Sequence, residues 1–186
     1  MQEKIGDEHG RAQRLHNLGM AAQERKEFDE AEHCYLQSLE IKERIGDEPG
    51  RAQTLYQLGV MAEEREQFDE AEDWYRWSLA ISEKISYDYG QVSALRQLGA
   101  MALRSGKLGE ADKLYRKSLK IQEKMLDDHG QTGTLYQLAR IAEQRGQLGD
   151  ARSFYLRAER LLNPATDAQM LDDVRNAIRR LNRRKS

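Results

Sequence analysis

The sequence predicts an all-α protein built from repeated helical hairpins. In the second quarter of the chain, apolar and small residues lie on one face of two successive helices. Leu55, Leu58 and Ala62 recur at spacings of three and four, and Ala71 and Tyr75 continue the pattern in the next helix. The same pattern returns every 40 residues without a gap. The composition agrees, since 33% of the residues are charged and only two are proline, as in helices with solvated outer faces.

Four units repeat with this period, and five positions carry the same residue type in every unit. These positions are Leu15, Leu55, Leu95 and Leu135; Leu18, Leu58, Leu98 and Leu138; Ala22, Ala62, Ala102 and Ala142; Ala31, Ala71, Ala111 and Ala151; and Tyr35, Tyr75, Tyr115 and Tyr155. A single hairpin cannot bury both of its apolar edges, whereas stacked neighbours share a continuous core. The repetition therefore predicts a stacked array of hairpins.

The repeat array is expected to cover residues 1–163. Its units are predicted at about 10–46, 47–86, 87–126 and 127–163. Residues 2–10 align with residues 42–50, so residues 1–9 are interpreted as the tail of a truncated preceding repeat. Gly6 and Gly46 then stand just beyond a helix C-terminus, where glycine takes a positive φ without strain. A helix is accordingly expected to end at Gly6.

Short turns are expected between the helices. In the second unit, Asp69 is predicted to N-cap the second helix, with Glu72 at capping-box distance. The turn positions inside the four hairpins are Lys26, Glu66, Gly106 and Gly146. The positions that follow the second helices of the first three units are Gly46, Ser86 and Leu126.

The repeat pattern stops after Leu162, where Asn163 and Pro164 are expected to end a helix. Thr166 is predicted to start another, with Gln169 at capping-box distance. Residues 164–186 are thus expected to form a capping helix with a basic tail, which would close the exposed core of the array. The apolar stripe of this helix is Leu171, Val174, Ile178 and Leu181, and its basic residues include Arg175, Arg179, Arg180, Arg183, Arg184 and Lys185.

Composition and motifs exclude most other classes of function. The formal net charge of -2 gives no global attraction to nucleic acid or to an anionic membrane. No apolar run approaches the roughly 18 residues of a membrane span. The single cysteine, Cys34, excludes an intramolecular disulfide and favours a reducing, cytoplasmic location. Zinc spacings, calcium loops, phosphate-binding glycine loops and nucleophile elbows are absent, so no enzyme activity, metal, cofactor or small-molecule substrate is expected.

Two tryptophans have different expected environments. Trp77 aligns with polar residues of the other units, which predicts an exposed outer-face position that is either a contact surface or an isolated apolar residue. Trp74 aligns with Cys34, Leu114 and Phe154, which predicts a core position for Trp74 and for Cys34.

The positions that repeat every 40 residues, called rows below, resemble the pattern of the tetratricopeptide repeat family. The third unit matches that pattern best. The matching residues are Leu98, Gly99, Ala102, Gly106, Ala111, Tyr115 and Ser118. The 40-residue period is similar to the long-period form of bacterial multidomain sensor proteins and Pins-type scaffolds. The resemblance implies a right-handed superhelical α-solenoid of four helical hairpins plus a C-terminal capping helix. It also implies that the first helix of each hairpin lines a concave groove.

By this resemblance, a ligand would contact the positions that the repeat leaves free on the first helices. The expected groove residues are Asn17, Gln57, Gln97, Gln137, Tyr56, Glu63, Glu64, Arg96, Arg104, Tyr136 and Arg140. The four carboxamides share one repeat position and could pair with an extended peptide backbone, or they could simply bond neighbouring helices. The charges grade from glutamates to arginines along the array. This gradient could orient a peptide of mixed charge or be a solvated surface.

The sequence therefore predicts a non-catalytic scaffold that binds a protein or peptide segment, as an interaction or sensor region of a larger bacterial protein. One alternative is an oligomerisation module, because Leu15, Leu18 and Ala22 in the first unit lack a preceding neighbour. Another is contact between the basic C-terminal helix and nucleic acid or an acidic partner, although a cap with a solvated face explains the same residues. Nucleic-acid binding of this kind would weaken steeply with salt.

Overall fold

The computed structural model describes residues 2–183, with side chains from residue 7 onward, and this part of the chain forms nine α-helices and no strands. In order they are α1 (Gln2–Glu24), α2 (Phe28–Ile45), α3 (Glu48–Glu64), α4 (Phe68–Lys84), α5 (Asp88–Arg104), α6 (Leu108–Met125), α7 (Asp128–Gln144), α8 (Leu148–Leu161) and α9 (Ala168–Arg183). The all-α prediction is confirmed. The end of the predicted basic tail, residues 184–186, lies outside the described residues.

The chain divides into two compact units, Met1–Leu98 and Gly99–Ser186, whose boundary falls inside α5. In the first unit, α1 packs against α2, α3 packs against α4, and α2 also packs against α3. In the second unit, α7 packs against both α6 and α8, and α8 packs against α9. These contacts join helices that are neighbours in the chain, as expected of stacked hairpins.

A glycine on the first helix of a hairpin lies directly under a tyrosine ring from the second helix. A Cβ atom at Gly59 would lie 2.7 Å from the Tyr75 ring, and a Cβ atom at Gly19 would lie 2.7 Å from the Tyr35 ring. Both tyrosines are fully buried. Because interiors are close-packed, the missing glycine side chain is what lets the ring fill the space between the helices. The glycine and tyrosine rows of the repeat therefore form one packing contact.

Left-handed backbone recurs where one helix ends and the next begins. The φ values are 61° at Lys26, 61° at Glu66, 69° at Gly106 and 73° at Gly146 within hairpins, and 74° at Gly46, 55° at Ser86 and 56° at Leu126 after second helices. The repeat thus uses the same conformation whether or not glycine is present. A left-handed conformation costs an L-residue roughly 1–2 kcal/mol, so the four non-glycine positions are strained.

Buried polar side chains join consecutive hairpins. Lys42 Nζ donates to Thr54 Oγ1 at 2.9 Å, and at the equivalent positions Thr134 Oγ1 donates to Gln122 Oε1 at 2.8 Å. All four side chains are buried, so each hydrogen bond pairs two polar atoms that would be costly to bury alone, although the Gln122 Nε2 atom is buried without a partner among the described residues. The corresponding residues at the intervening junction are Ser82 and Ala94.

Helix α1 differs from the predicted start of the array. The expected helix end at Gly6 is wrong, because α1 runs without interruption from Gln2 to Glu24. At the matching Gly46 the chain does turn, and Asp47 then caps α3 by accepting a hydrogen bond from Gly50 N. A glycine inside a helix costs only about 1 kcal/mol. Similarity to the Gly46 turn is therefore not sufficient to end the helix at Gly6.

The start of α4 also differs from the prediction. Its N-cap is Gln67, which makes no side-chain capping bond, and Asp69 lies in the first helical turn instead of capping the helix. Gln67 N bonds back to Ala62 O while the helix already begins at Phe68. The turn is therefore too short to leave Asp69 outside the helix.

Helix α9 packs its predicted apolar stripe against α8. It begins at Ala168 and not at the predicted Thr166, because the Asp167 carbonyl accepts the first helical hydrogen bond from Leu171 N. The buried residues of α9 are Leu171, Val174, Ala177, Ile178 and Leu181.

The two tryptophans lie close together on α4. Trp77 is 52% exposed, and its ring meets the ring of Trp74 edge-on at a centroid distance of 4.9 Å. Trp74 is partly buried against the core of the first unit, and Cys34 is buried. The predicted contrast between an outer Trp77 and an inner Trp74 is thus present, although Trp74 is less buried than a full core residue.

Candidate ligand groove

The surface of the first helices that carries the predicted ligand-facing residues is called the groove face below. On this face of the first unit, α1 and α3 enclose a cleft of about 340 Å³, which we call the first cleft. Its lining residues are Met20, Gln23, Glu24, Lys26, Gln57 and Glu64. Gln57 and Glu64 are predicted groove residues, so the structure brings these two side chains together from one helix of the array.

Hydrogen bonds hold the floor of the first cleft in place. Tyr35 OH donates to Gln23 Oε1 at 2.8 Å, and Gln23 Nε2 donates to Glu64 Oε1 at 3.0 Å. Burial raises the pKa of Tyr35 far above its ordinary value, and the Glu64 carboxylate adds to the shift. The phenol therefore stays protonated and remains a donor. The buried Gln23 amide is in this way fixed between a tyrosine below and a carboxylate at the cleft.

The same tyrosine row supports acidic groove residues in two other hairpins. Tyr75 OH donates to Glu63 Oε2 at 3.1 Å, and Tyr155 OH donates to Glu143 Oε1 at 2.7 Å. Burial is the main cause that raises the pKa of both phenols. Glu63 is therefore anchored from the core, a contact that was not among the predicted ones. The sequence did contain an indication of these contacts, because in all three hairpins the tyrosine follows its hydrogen-bond partner by twelve residues.

A second row of rings covers these tyrosines. The ring centroids lie 5.4 Å apart for Tyr56 and Tyr75, 5.7 Å apart for Tyr136 and Tyr155, and 5.6 Å apart for His16 and Tyr35. Tyr56 and Tyr136 are half-buried, so each predicted groove tyrosine is held by the ring beneath it.

His16 is the exception in this row, because it is fully buried. Its Nδ1 lies 3.2 Å from Thr54 Oγ1, the same hydroxyl that accepts the hydrogen bond from Lys42. Burial, followed by the charge of Lys42, lowers the pKa of His16 from 6.5 to about 4. His16 is therefore neutral near pH 7 and contributes to the junction between hairpins.

The four carboxamides at one repeat position have different environments. Asn17 Oδ1 accepts a hydrogen bond from Gln13 on its own helix at 3.1 Å, and Gln97 Nε2 donates to Tyr56 OH at 3.3 Å. Helix-to-helix bonding, the alternative to a ligand role, therefore applies to Gln97. Gln57 is half-buried and lines the first cleft, and within the described residues the buried Oε1 of Gln137 has no hydrogen-bond partner. The proposed ligand role is thus best supported at Gln57 and Gln137.

The second unit carries its own cleft of about 440 Å³ between α7 and α9, which we call the second cleft. Its lining residues are Tyr136, Arg140, Glu143, Gln144, Tyr155, Asp173, Asn176, Ala177 and Arg180. Arg180 Nη2 donates to both oxygens of Glu143, at 2.8 and 2.9 Å. The expected roles of α9 were a cap and, as an alternative, a basic contact surface, whereas this helix supplies one wall of the cleft. The spacing of Asp173, Asn176 and Arg180 along one face was the available signal.

The predicted change from acidic to basic groove residues along the array is not a simple gradient in the structure. The second cleft combines Arg140 and Arg180 with Glu143 and Asp173, so its charge is mixed and not basic. Arg96 is exposed on α5, as is Arg104. The basic face of α9 is also partly neutralised, since Arg175 pairs with Glu159 at 2.8 Å and Arg180 pairs with Glu143.

Other kinds of site find no support in the part of the chain that the structure describes. It contains no group of three or more His, Cys, Asp or Glu side chains placed to hold a metal ion. Burial raises the pKa of the Cys34 thiol, which is the opposite of the shift that activates a nucleophile. None of the described helices is long and apolar enough to cross a membrane.

The fold and these clefts define a class of protein: repeat proteins built from successive helical hairpins, with clefts lined by residues of the first helices. Within that class, the tetratricopeptide repeat family matches residues 10–84 and 90–163. The chain belongs to the tetratricopeptide repeat family, which confirms the resemblance drawn from the sequence. This family is generally a non-catalytic fold for protein interaction.

Several solved structures share the fold. Aspartyl phosphate phosphatase F from Bacillus subtilis has a TM-score of 0.81 and 12% identity, over 91% of this chain and 44% of that chain. The apo form of RapI has a TM-score of 0.81 and 14% identity, over 94% of this chain and 64% of that chain. A Podospora anserina protein of nearly identical TPR-like repeats, described as a kinesin light chain, has a TM-score of 0.72 and 18% identity, over 94% of this chain and 87% of that chain.

At these identities the likeness concerns the fold alone. The chain spans 44% of the length of the phosphatase and 64% of the length of RapI. No curated protein matches the chain.

Proposed function

We propose that this chain is a non-catalytic scaffold that binds an extended peptide or protein segment along its groove face. The observation that carries the proposal is the first cleft, where the half-buried Gln57 amide and the Glu64 carboxylate line the same surface. A carboxamide can both donate to and accept from a peptide backbone. The protein-interaction character of the family supports the same conclusion.

The construction of the cleft floors favours a preorganised site. Buried tyrosine hydroxyls fix Gln23 in the first cleft and Glu143 in the second. Side chains that are already ordered lose little freedom when a ligand binds, which favours affinity. Because both clefts combine acidic and basic side chains, we expect a segment of mixed charge to bind better than a uniformly charged one.

We extend the proposal to the cellular context. The chain would act as an interaction or sensor region of a larger bacterial protein in the cytoplasm. The single buried cysteine is compatible with a reducing compartment.

A selection experiment tests the groove. A library of random dodecapeptides is selected against the chain, and the affinity of a selected peptide is measured by fluorescence anisotropy. We expect Gln57→Ala combined with Glu64→Ala to weaken binding about tenfold or more, which corresponds to about 1.4 kcal/mol. The matched control is Gln37→Ala combined with Glu40→Ala on α2, which removes the same chemistry outside the cleft. Failure to select any peptide, or equal affinities for both double variants, would overturn the proposal.

A second candidate function is self-association through α1. Leu18 is 57% exposed, whereas the equivalent Leu58, Leu98 and Leu138 are almost completely buried. Sedimentation velocity over a concentration series tests this candidate. A dimer that Leu18→Lys abolishes would support it, and a monomer at every concentration would remove it. Nucleic-acid contact through α9 is not favoured, because Arg175 and Arg180 are already paired.

A further inference from the structure

A small pocket on the groove face of the first unit differs from the two clefts. It lies between α3 and the start of α5 and has a volume of about 90 Å³. Its lining residues are Ala52, Gln53, Tyr56, Ser78, Tyr87, Tyr89, Gly90 and Ser93. None of these residues is charged, whereas both clefts contain acidic and basic side chains. The pocket is therefore suited to an uncharged group.

The sequence departs from the repeat at this pocket. The residue equivalent to Tyr87 is Asp47 before α3 and Asp127 before α7. Each of these carboxylates accepts a hydrogen bond from a glycine N–H of the following helix at 2.9 Å. Tyr87 has no carboxylate and cannot form this cap. Its ring instead lies against Gly90, where a Cβ atom would be 2.5 Å from Tyr87 Cδ1. A stabilising cap is thus replaced by an aromatic wall.

Tyr89 forms the second aromatic wall of the pocket, and the repeat does not require an aromatic residue at this position either. Tyr89 is 67% exposed and Tyr87 is 38% exposed. The residues equivalent to Tyr89 are His9, Pro49 and His129, so folding of the other units does not depend on an aromatic side chain here. Two exposed tyrosines at positions that the fold leaves free, and next to one pocket, indicate a contact with another molecule.

The floor of the pocket is rigid. The Tyr56 ring packs on the buried Tyr75 ring at 5.4 Å, and Tyr56 OH accepts a hydrogen bond from Gln97 at 3.3 Å. The pocket therefore combines one fixed ring with two exposed ones. Its Gln53 amide, its tyrosine hydroxyls and the Ser93 hydroxyl can donate to a carbonyl oxygen of a ligand, whereas Ser78 Oγ already donates to Ala52 O at 2.8 Å.

We propose that this pocket binds a proline side chain of the bound segment in a polyproline II conformation. The proposal rests on the proposed function and names the chemistry of the ligand. Burying a charged side chain here would leave the charge unpaired, and the small volume accommodates one compact ring. Aromatic-lined grooves with hydrogen-bond donors are the surfaces on which proline-rich segments dock, because their carbonyl oxygens project outward and their conformation is preformed.

The probe is fluorescein-labelled decaproline, with a Gly-Ser decapeptide as the control ligand. We expect the full chain to bind decaproline in preference to the Gly-Ser peptide, and Tyr89→Ala to weaken that binding at least fivefold. Tyr87→Asp is the sharper variant, because it removes a wall while restoring the cap that Asp47 forms at α3. It should weaken decaproline binding at least fivefold while the thermal midpoint stays the same or rises. Trp77→Ala removes an exposed aromatic side chain from α4 and should leave binding unchanged.

The outcomes separate this proposal from the groove proposal. If a peptide selected on the groove binds but decaproline does not, the pocket proposal is overturned and the groove proposal stands. Decaproline binding that Tyr87→Asp leaves unchanged also overturns it. Loss of self-association in Tyr87→Asp, without decaproline binding to the wild type, would identify a second copy of the chain as the occupant and overturn it as well.

Discussion

His16 makes the stability of the first unit depend on pH. The ring is fully buried, its Nδ1 contacts the Thr54 hydroxyl at 3.2 Å, and the Lys42 ammonium group bonds to that same hydroxyl. The folded protein therefore disfavours the imidazolium form, and the pKa is lowered from 6.5 to about 4. The unfolded chain binds a proton that the folded chain does not bind between these two values. Stability is thus complete above pH 6.5 and is lost as the pH falls toward 4.

The magnitude follows from the two pKa values. At pH 5, a group with a pKa of 6.5 in the unfolded state and about 4 in the folded state lowers the free energy of unfolding by about 2 kcal/mol relative to pH 7.5. Urea unfolding followed by circular dichroism at the two pH values measures this difference. The matched control is His16→Tyr, because tyrosine occupies the equivalent positions 56 and 136 and does not titrate in this range.

The wild type should lose about 2 kcal/mol more than His16→Tyr between pH 7.5 and pH 5. The other histidines and the carboxylates are common to both proteins, so their contributions cancel. An NMR titration of the His16 ring gives an independent measurement. Equal pH dependence in the two proteins, or a ring that titrates near pH 6.5 in the folded state, would refute the reasoning.

Three further substitutions and one control, Gly149→Ala, test the packing and the helix ends by thermal or urea unfolding. Gly59→Ala should cost about 1–3 kcal/mol, because its Cβ would lie 2.7 Å from the Tyr75 ring; Gly149→Ala, with nothing within 4 Å, should not destabilise the protein. Leu126→Gly should stabilise by about 0.5–1 kcal/mol, since Leu126 is 84% exposed and has a φ of 56°; a loss of stability would contradict the strain assigned to it. Asp47→Ala should cost about 1 kcal/mol through loss of the α3 cap, and no change would show that the cap contributes nothing.

Much of the fold could be predicted because its main packing contacts join residues at positions that recur in every unit of the repeat. The glycine under Tyr75 and the buried alanine at position 71 recur at fixed spacing, so the sequence displays them several times. The continuity of α1 through Gly6 was not predictable in this way. It depends on a small difference in energy between a glycine inside a helix and a glycine at a turn, and the pattern of residues is the same in both cases.

The candidate site was only partly predictable for a related reason. Gln57, Glu64 and Arg140 do line the two clefts, since repeat position alone indicates which face of a first helix they occupy. The contact of Arg180 with Glu143 joins a non-repeated helix to the array. Its geometry depends on the turn at residues 163–167, and no other copy of that turn exists in the sequence for comparison.

The polar pairs between hairpins bear on how such an array can be rearranged. Deleting the second unit would place Lys42 against the residue at position 94, an alanine, and would leave a buried ammonium group without its hydroxyl partner. Deleting the third unit would instead bring Ser82 opposite Thr134, two hydroxyls that can bond each other. Hairpins of this protein are thus not freely interchangeable. The Lys42–Thr54 and Gln122–Thr134 junctions each carry a buried side-chain hydrogen bond, whereas the junction of Ser82 and Ala94 does not, so a shortened array should tolerate some joins and reject others.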